Sequence, residues 1–129
     1  NNIIICDPIF SEDNKKVNFY EFDGGRSGIF NHKINATKYE LNTITLNKVF
    51  ENNVHDNKID YLSIDTEGTE FEIIKAINFK IYSPEVITIE HNYDINKRNK
   101  IYKLLKEKNY KRVFKSISRF DDWYIKIKS

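Results

Sequence analysis

A single cysteine, Cys6, stands in a chain of 129 residues. No intrachain disulfide can form, so the fold must rest on its core, and a reducing, cytoplasmic compartment suits it. Four glycines and two prolines leave no low-complexity tract and no linker, and no internal repeat is present. No apolar run approaches the roughly 20 residues of a membrane-crossing helix. The opening Asn-Asn-Ile-Ile-Ile lacks a signal-peptide pattern and starts inside a strand-like run, as a truncated start would. Charge of either sign is nearly balanced. A formal net charge of +2 is too small to point to a nucleic-acid partner. Methionine is absent while Asn, Lys and Ile abound, which reads as AT-rich coding bias rather than chemistry. What remains is one domain, 1–129, of ordinary apolar content and adequate length for a core.

The stretch from Ile59 to Phe79 organises this domain. Ile59, Tyr61, Leu62 and Ile64 run together densely enough for burial on both faces, as in a central parallel strand. Asp65 ends the run, and Thr66-Glu67-Gly68 forms a polar turn. Thr69 to Glu72 has capping-box spacing and predicts a helix over 70–77 with Phe71, Ile73, Ile74 and Ile77 inward. Ligands of open α/β sheets bind beyond the carboxyl ends of strands, where Asp65 and Glu67 fall.

Around that unit the pattern predicts a strand at Ile3–Cys6, broken by Asp7-Pro8, and a strand at Val17–Phe22. Asp23–Gly28 reads as a hairpin tip, because it lacks a phosphate-loop register. Ile29–Leu41 has no clear pattern. Thr43–Thr45 has the look of a short strand. A helix follows over Leu46–Asn53 on Leu46, Val49 and Phe50. Val86–Glu90 reads as a second buried strand. Asn96–Lys108 reads as an amphipathic helix with Ile101, Tyr102, Leu104 and Leu105 inward. Tyr110–Ser116 and Trp123–Ile127 form a closing hairpin, with Trp123 in the core. The fold class is therefore α/β, with parallel strands, helices and a C-terminal antiparallel hairpin.

Ile-Asp-Tyr-Leu-Ser-Ile-Asp-Thr-Glu-Gly-Thr-Glu at 59–70 resembles the signature of the FkbM family of S-adenosylmethionine-dependent methyltransferases. VITIEHN at 86–92, Asn109-Tyr110 and DDWYI at 121–125 extend the resemblance over most of the chain, but only over the later half of the family's domain. It implies a partial class I methyltransferase (Rossmann-like) sheet, complete order 3-2-1-4-5-7-6. Ile3–Cys6 would be strand 3, Ile59–Ile64 strand 4, Val86–Glu90 strand 5 and the hairpin strands 6 and 7, with strands 1 and 2 missing. Strand 3 then either pairs directly with strand 4 or the fragment is marginal, and an apolar strand edge is open to oligomerisation. The family's glycine-rich cofactor loop and its acidic residue after strand 2 have no counterpart here, so this chain alone is expected to bind S-adenosylmethionine weakly or not at all.

What the resemblance implies is methylation of a hydroxyl on a sugar, glycan or related small molecule. Asp65 would sit at the mouth of the crevice, orienting either the methionine part of the cofactor or the acceptor. Glu90, His91 and Asn92 end the next strand and flank the same crevice. An in-line displacement needs an aligned acceptor relieved of its proton, and His91 titrates in the right range for that base. Asp65, His91 and Glu90 are therefore the catalytic candidates, and Glu67, Asn92 and Ser27 the substrate candidates. Asp7, Pro8 and Ile9 follow strand 3 and, with Asp65, would contact the cofactor, Asp7 at the adenine amino group and Ile9 on the ring. Glu70 and Glu72 read as helix-dipole partners. Asp65, Glu67, Glu90, His91 and Asp94 are metal-ligand types without metal-motif spacing, so no metal site is assigned. Two other readings compete: a non-catalytic α/β binding or assembly module, and a metal-dependent hydrolase built on the acidic cluster.

Overall fold

In the computed structural model, which describes residues 7–21, 27–29 and 36–128, the chain forms six strands and three helices in two sheets. The strand expected at Ile3–Cys6, its pairing, and most of the Asp23–Gly28 loop lie outside the described residues. The first sheet is a hairpin of β1 (Lys16–Glu21) and β2 (Thr37–Asn42), paired antiparallel from Lys16↔Asn42 to Glu21↔Thr37. β2 falls in the stretch that had no legible pattern. Its apolar content is Tyr39 and Leu41 alone, and only Leu41 is even half-buried. Pairing with β1 holds it, helped by the exposed Lys16–Glu40 ion pair and the Tyr39 hydroxyl donating to Glu21.

The second sheet has the order β3-β4-β6-β5, made of β3 (Tyr61–Ile64), β4 (Val86–Glu90), β6 (Asp121–Lys126) and β5 (Tyr110–Val113). β3 and β4 are parallel, and β6 runs antiparallel to both β4 and β5. The order and directions are those expected of the last four strands, with one parallel pair. The helix α1 (Leu46–Asn53) begins at Thr45, whose hydroxyl accepts the Lys48 amide. That cap explains why Thr43–Thr45 is not a strand: only Ile44 pairs, as a lone bridge to Ile9. The helix α2 (Glu70–Ala76) links β3 to β4, and α3 (Ile95–Glu107) links β4 to β5. The Asp94 carboxylate caps α3 by accepting the amides of Asn96 and Lys97. Among the described residues no helix is long and apolar enough to cross a membrane.

Registered pairing decides which residues are inside. One face carries the rows Leu62–Ile87–Tyr124–Arg112 and Ile64–Ile89–Asp122. Leu62, Ile64, Ile87, Ile89 and Tyr124 from these rows pack with Phe50, Ile73, Ile74, Ile101 and Leu105 of the helices. The opposite face carries Tyr61–Val86–Ile125 and Ser63–Thr88–Trp123. Two expectations fail for this reason. Tyr61 and Ser63 are exposed, so β3 is buried on one face and not on both. Trp123 is 39% exposed, while its neighbour Tyr124 is the core residue. Strand side chains alternate in direction, and the helices cover one face.

Asp122 is the unexpected member of the inner face. It is 2% exposed. Arg98 of α3 donates to both its oxygens at 2.8 and 2.7 Å, and Arg112 of β5 donates at 3.1 Å. Burial raises its carboxyl, but the two guanidinium groups outweigh this and hold it below the usual carboxylate range. Truncating one member of such a buried set leaves charge uncompensated, at about 3–5 kcal/mol. Asp122→Ala should therefore lower stability by about that amount, as much as the cavity variant Ile87→Ala at about 2–5 kcal/mol. Urea denaturation checks this; an unchanged midpoint for Asp122→Ala would mean that Arg98 and Arg112 are hydrated without it.

Candidate active site

Parallel neighbours finish at the same edge. Ile64 pairs with Ile89, so Asp65, just past β3, and Glu90, the last residue of β4, stand side by side. The turn after β3 then has to reach α2 within five residues. It does so with Glu67 at φ 53° and Gly68 at φ 130°. Glycine adopts such values readily, whereas a left-handed glutamate needs support from its surroundings.

Glu70 supplies the support. Its Oε1 accepts the backbone amides of Thr66 at 3.0 Å and Gly68 at 2.9 Å, and the Thr66 hydroxyl at 3.3 Å. The expected Thr69–Glu72 capping box does not form. Thr69 makes no side-chain cap and donates instead to the Thr66 hydroxyl, while Glu72 is exposed. Glu70 has already taken the amides in need of an acceptor. It is fully buried, not a solvated helix-dipole partner, and its Oε2 accepts from Lys97 Nζ at 2.8 Å. Burial pushes its carboxyl up, yet the Lys97 and backbone bonds prevail and hold it below the ordinary range.

Oxygens of Asp65, Glu70 and Glu90 all come within 4.8 Å of one another. Both Glu70 oxygens are engaged, so Asp65 and Glu90 are the members open to a ligand. Glu90 is half-buried, and its buried Oε2 has no hydrogen-bond partner among the described residues. Burial first, then the neighbouring charges of Asp65, Glu67 and Glu70, push its carboxyl up to about 7, against the opposing pull of Lys97. Beside Asp65 lies a cavity of about 180 Å³ lined also by Pro8, Ile9, Phe19, Ser27, Gly28, Ile29, Thr66 and Thr69. Gly28 reaches it because it bridges back to Tyr20.

Of the residues singled out in the sequence, Asp65 and Glu90 are thus brought together, and Pro8, Ile9 and Ser27 meet Asp65 at the cavity. Glu67 is half-buried in the turn, facing Glu90 electrostatically. Three others lie apart. Asp7 lines a separate cavity of about 400 Å³ with Asp13, Asn42 and Lys48. Asn92 is exposed at φ 44°. His91 is 1% exposed; its Nδ1 accepts the Tyr93 amide at 3.1 Å and its Nε2 faces Asp122 at 3.9 Å. Burial holds its pKa below the usual histidine value, partly countered by Asp122. Sequence reasoning gave Glu70 the part of a helix-dipole partner and passed over Lys97, its partner here. Glu70 stands in the 59–70 motif, but Lys97 is one lysine among many on α3, and nothing in its local pattern marks it.

The Glu90 shift has a sign. The folded state holds the proton more tightly than the unfolded chain, whose value is about 4.3. Stability from this group is therefore highest at low pH and falls as pH rises through about 7. Glu90→Gln removes that dependence. Its denaturation midpoint, compared with that of the unaltered protein, should gain more at pH 8 than at pH 5. Equal differences at both values would show that Glu90 ionises freely.

Comparison with known families gives one match. The model of the methyltransferase FkbM domain matches residues 6–112, a span that contains Asp65, Glu70, Glu90 and Lys97 and ends before β6. No curated protein and no solved structure gives a match. The match covers most of the chain, and the chain belongs to the FkbM methyltransferase domain family.

Proposed function

We propose that this chain is the later part of an S-adenosylmethionine-dependent O-methyltransferase of the class I sheet type. Its acceptor is a hydroxyl of a sugar or related small molecule. The reading is supported above all by the carboxylate pair at the ends of adjacent parallel strands, within a chain of this family. Asp65, exposed at the mouth, accepts hydrogen bonds from the acceptor or the cofactor and orients it. Glu90 takes the hydroxyl proton. Raised to about 7, it is poised near neutral pH, where a general base is most effective. His91 takes a supporting part instead, because its ring is enclosed and its Nδ1 is occupied by Tyr93.

The residues present fit part of the cofactor. Pro8, Ile9 and Phe19 give the cavity an apolar wall, and Asp65, Thr66 and Thr69 give it a polar one, which suits a flat ring or a methionine arm. The acidic cluster suits a sulfonium cation. Ligand sites usually span about 300–1,000 Å³, so about 180 Å³ takes only part of the molecule. S-adenosylmethionine, when bound, supplies an electrophilic methyl group. Cys6, alone, is compatible with work in the cytoplasm.

A binding or assembly module is the second reading. Among the described residues β3 pairs with β4 alone, and an unpaired strand edge is where separate chains join.

The complete protein decides between them. Calorimetry should show S-adenosylmethionine binding, and a panel of sugars should reveal an acceptor by formation of S-adenosylhomocysteine. The rate should rise with pH through about 7, since the base must be ionised, and then level off. Glu90→Gln should lower kcat by about 10²–10⁴-fold with cofactor affinity retained. Absence of cofactor binding would leave the assembly module as the better reading. Full turnover in Glu90→Gln would remove the base assignment alone.

A further inference from the structure

We propose that the Glu70–Lys97 ion pair is a positioning device. It fastens the turn bearing Asp65 and Glu67 to α3 and sets the charge that surrounds Glu90. Neither residue reacts; both act through the carboxylates beside them.

The geometry carries this. Glu70 is fully buried and accepts two amides of a turn with two consecutive left-handed residues. A buried carboxylate is costly unless its charge is answered. The answer comes from Lys97, 27 residues away on α3 and itself largely covered. The neighbouring Arg98 grips Asp122 at the start of β6. One turn of α3, capped by Asp94, thus reaches in two directions, to the start of α2 with Lys97 and to β6 with Arg98. The site's turn and the sheet are registered to each other through that helix. The charged groups around Glu90 are Asp65, Glu67 and Glu70 on the acidic side and Lys97 on the basic side. Lys97 is therefore both a mechanical tie and the single counter-charge among them.

The consequence for catalysis rests on the methyltransferase reading, but the test does not. It uses the complete protein without acceptor or cofactor. Amide exchange is read at Thr66 and Gly68, and at Ile87 and Tyr124 as references, while carbon-13 labelling of glutamate follows the Glu90 titration. In Lys97→Met, Thr66 and Gly68 should exchange about tenfold faster, with Ile87 and Tyr124 unchanged. Loss of the Lys97 charge removes the one attraction that lowers Glu90, so the Glu90 midpoint should rise by about half a unit or more. Lys97→Arg should restore both readouts. Should Lys97→Met fail to fold, Glu70→Gln offers the opposite sign. It keeps an acceptor for the turn but deletes a negative neighbour, and the Glu90 midpoint should fall. Unchanged exchange at the two turn amides would overturn the proposal. So would a midpoint that stays or moves the other way, or exchange accelerated equally at Ile87 and Tyr124, which marks a contact that merely adds stability.

Discussion

Side-by-side pairing of β3 and β4 in the same direction is the constraint from which the rest follows. Parallel strands need a crossover between them, and here α2 provides it. The crossover fixes both chain reversals at one end of the sheet. Leu62 against Ile87 and Ile64 against Ile89 lock the register from the core side. A slip of either strand by one residue would turn its two core residues outward. The juxtaposition of Asp65 and Glu90 is thus a by-product of apolar packing that involves neither of them. Asp65 and Glu90 gather without having to stabilise the fold, which rests on the buried isoleucines.

Two charged networks flank the C-terminal end of β4, and they differ in kind. On one side, Asp122 receives two arginines and is held ionised in the interior. On the other, Glu70 has one lysine, and the remaining acids have none within bonding distance among the described residues. The first network is nearly closed, with its partners fixed by planar guanidinium geometry. The second is left electrically short. Burial and then that imbalance make Glu90 keep its proton to higher pH. Successive strand residues point to opposite faces, and so Glu90 and His91, adjacent in sequence, belong to different networks. A histidine at a strand end carried the chemical type of a base, but its direction was decided by alternation.

Much of the scaffold was legible from periodicity. α1 agrees with its expected bounds, and the runs that became β4, α2 and α3 shift by a residue at most. Their signals are dense apolar patterns that local sequence carries by itself. β2 was invisible because its stability comes from a partner some twenty residues earlier, not from an apolar pattern of its own. The false two-sided burial of β3 and the misplaced Trp123 share one cause. Local sequence shows how apolar a strand is, but not whether a second layer lies over its outer face. At the site, Asp65 and Glu90 could be read as strand-end carboxylates. The role of Glu70 could not, since a Thr-x-x-Glu pattern one residue out of step gave a ready alternative. Lys97 became meaningful only through a contact that spans α2 and α3.

The outer face of the sheet has a practical side. Trp123 is the sole tryptophan of the chain. It lies there in register with Thr88 and Val113, edge-on to the Phe114 ring at 6.2 Å. Its indole therefore looks away from the isoleucine core and toward whatever lies above the sheet. Fluorescence from this chain is consequently a gauge of the outer surface: the emission colour reports hydration over β6, and a blue shift signals that another layer, from this polypeptide or a second one, has settled on it.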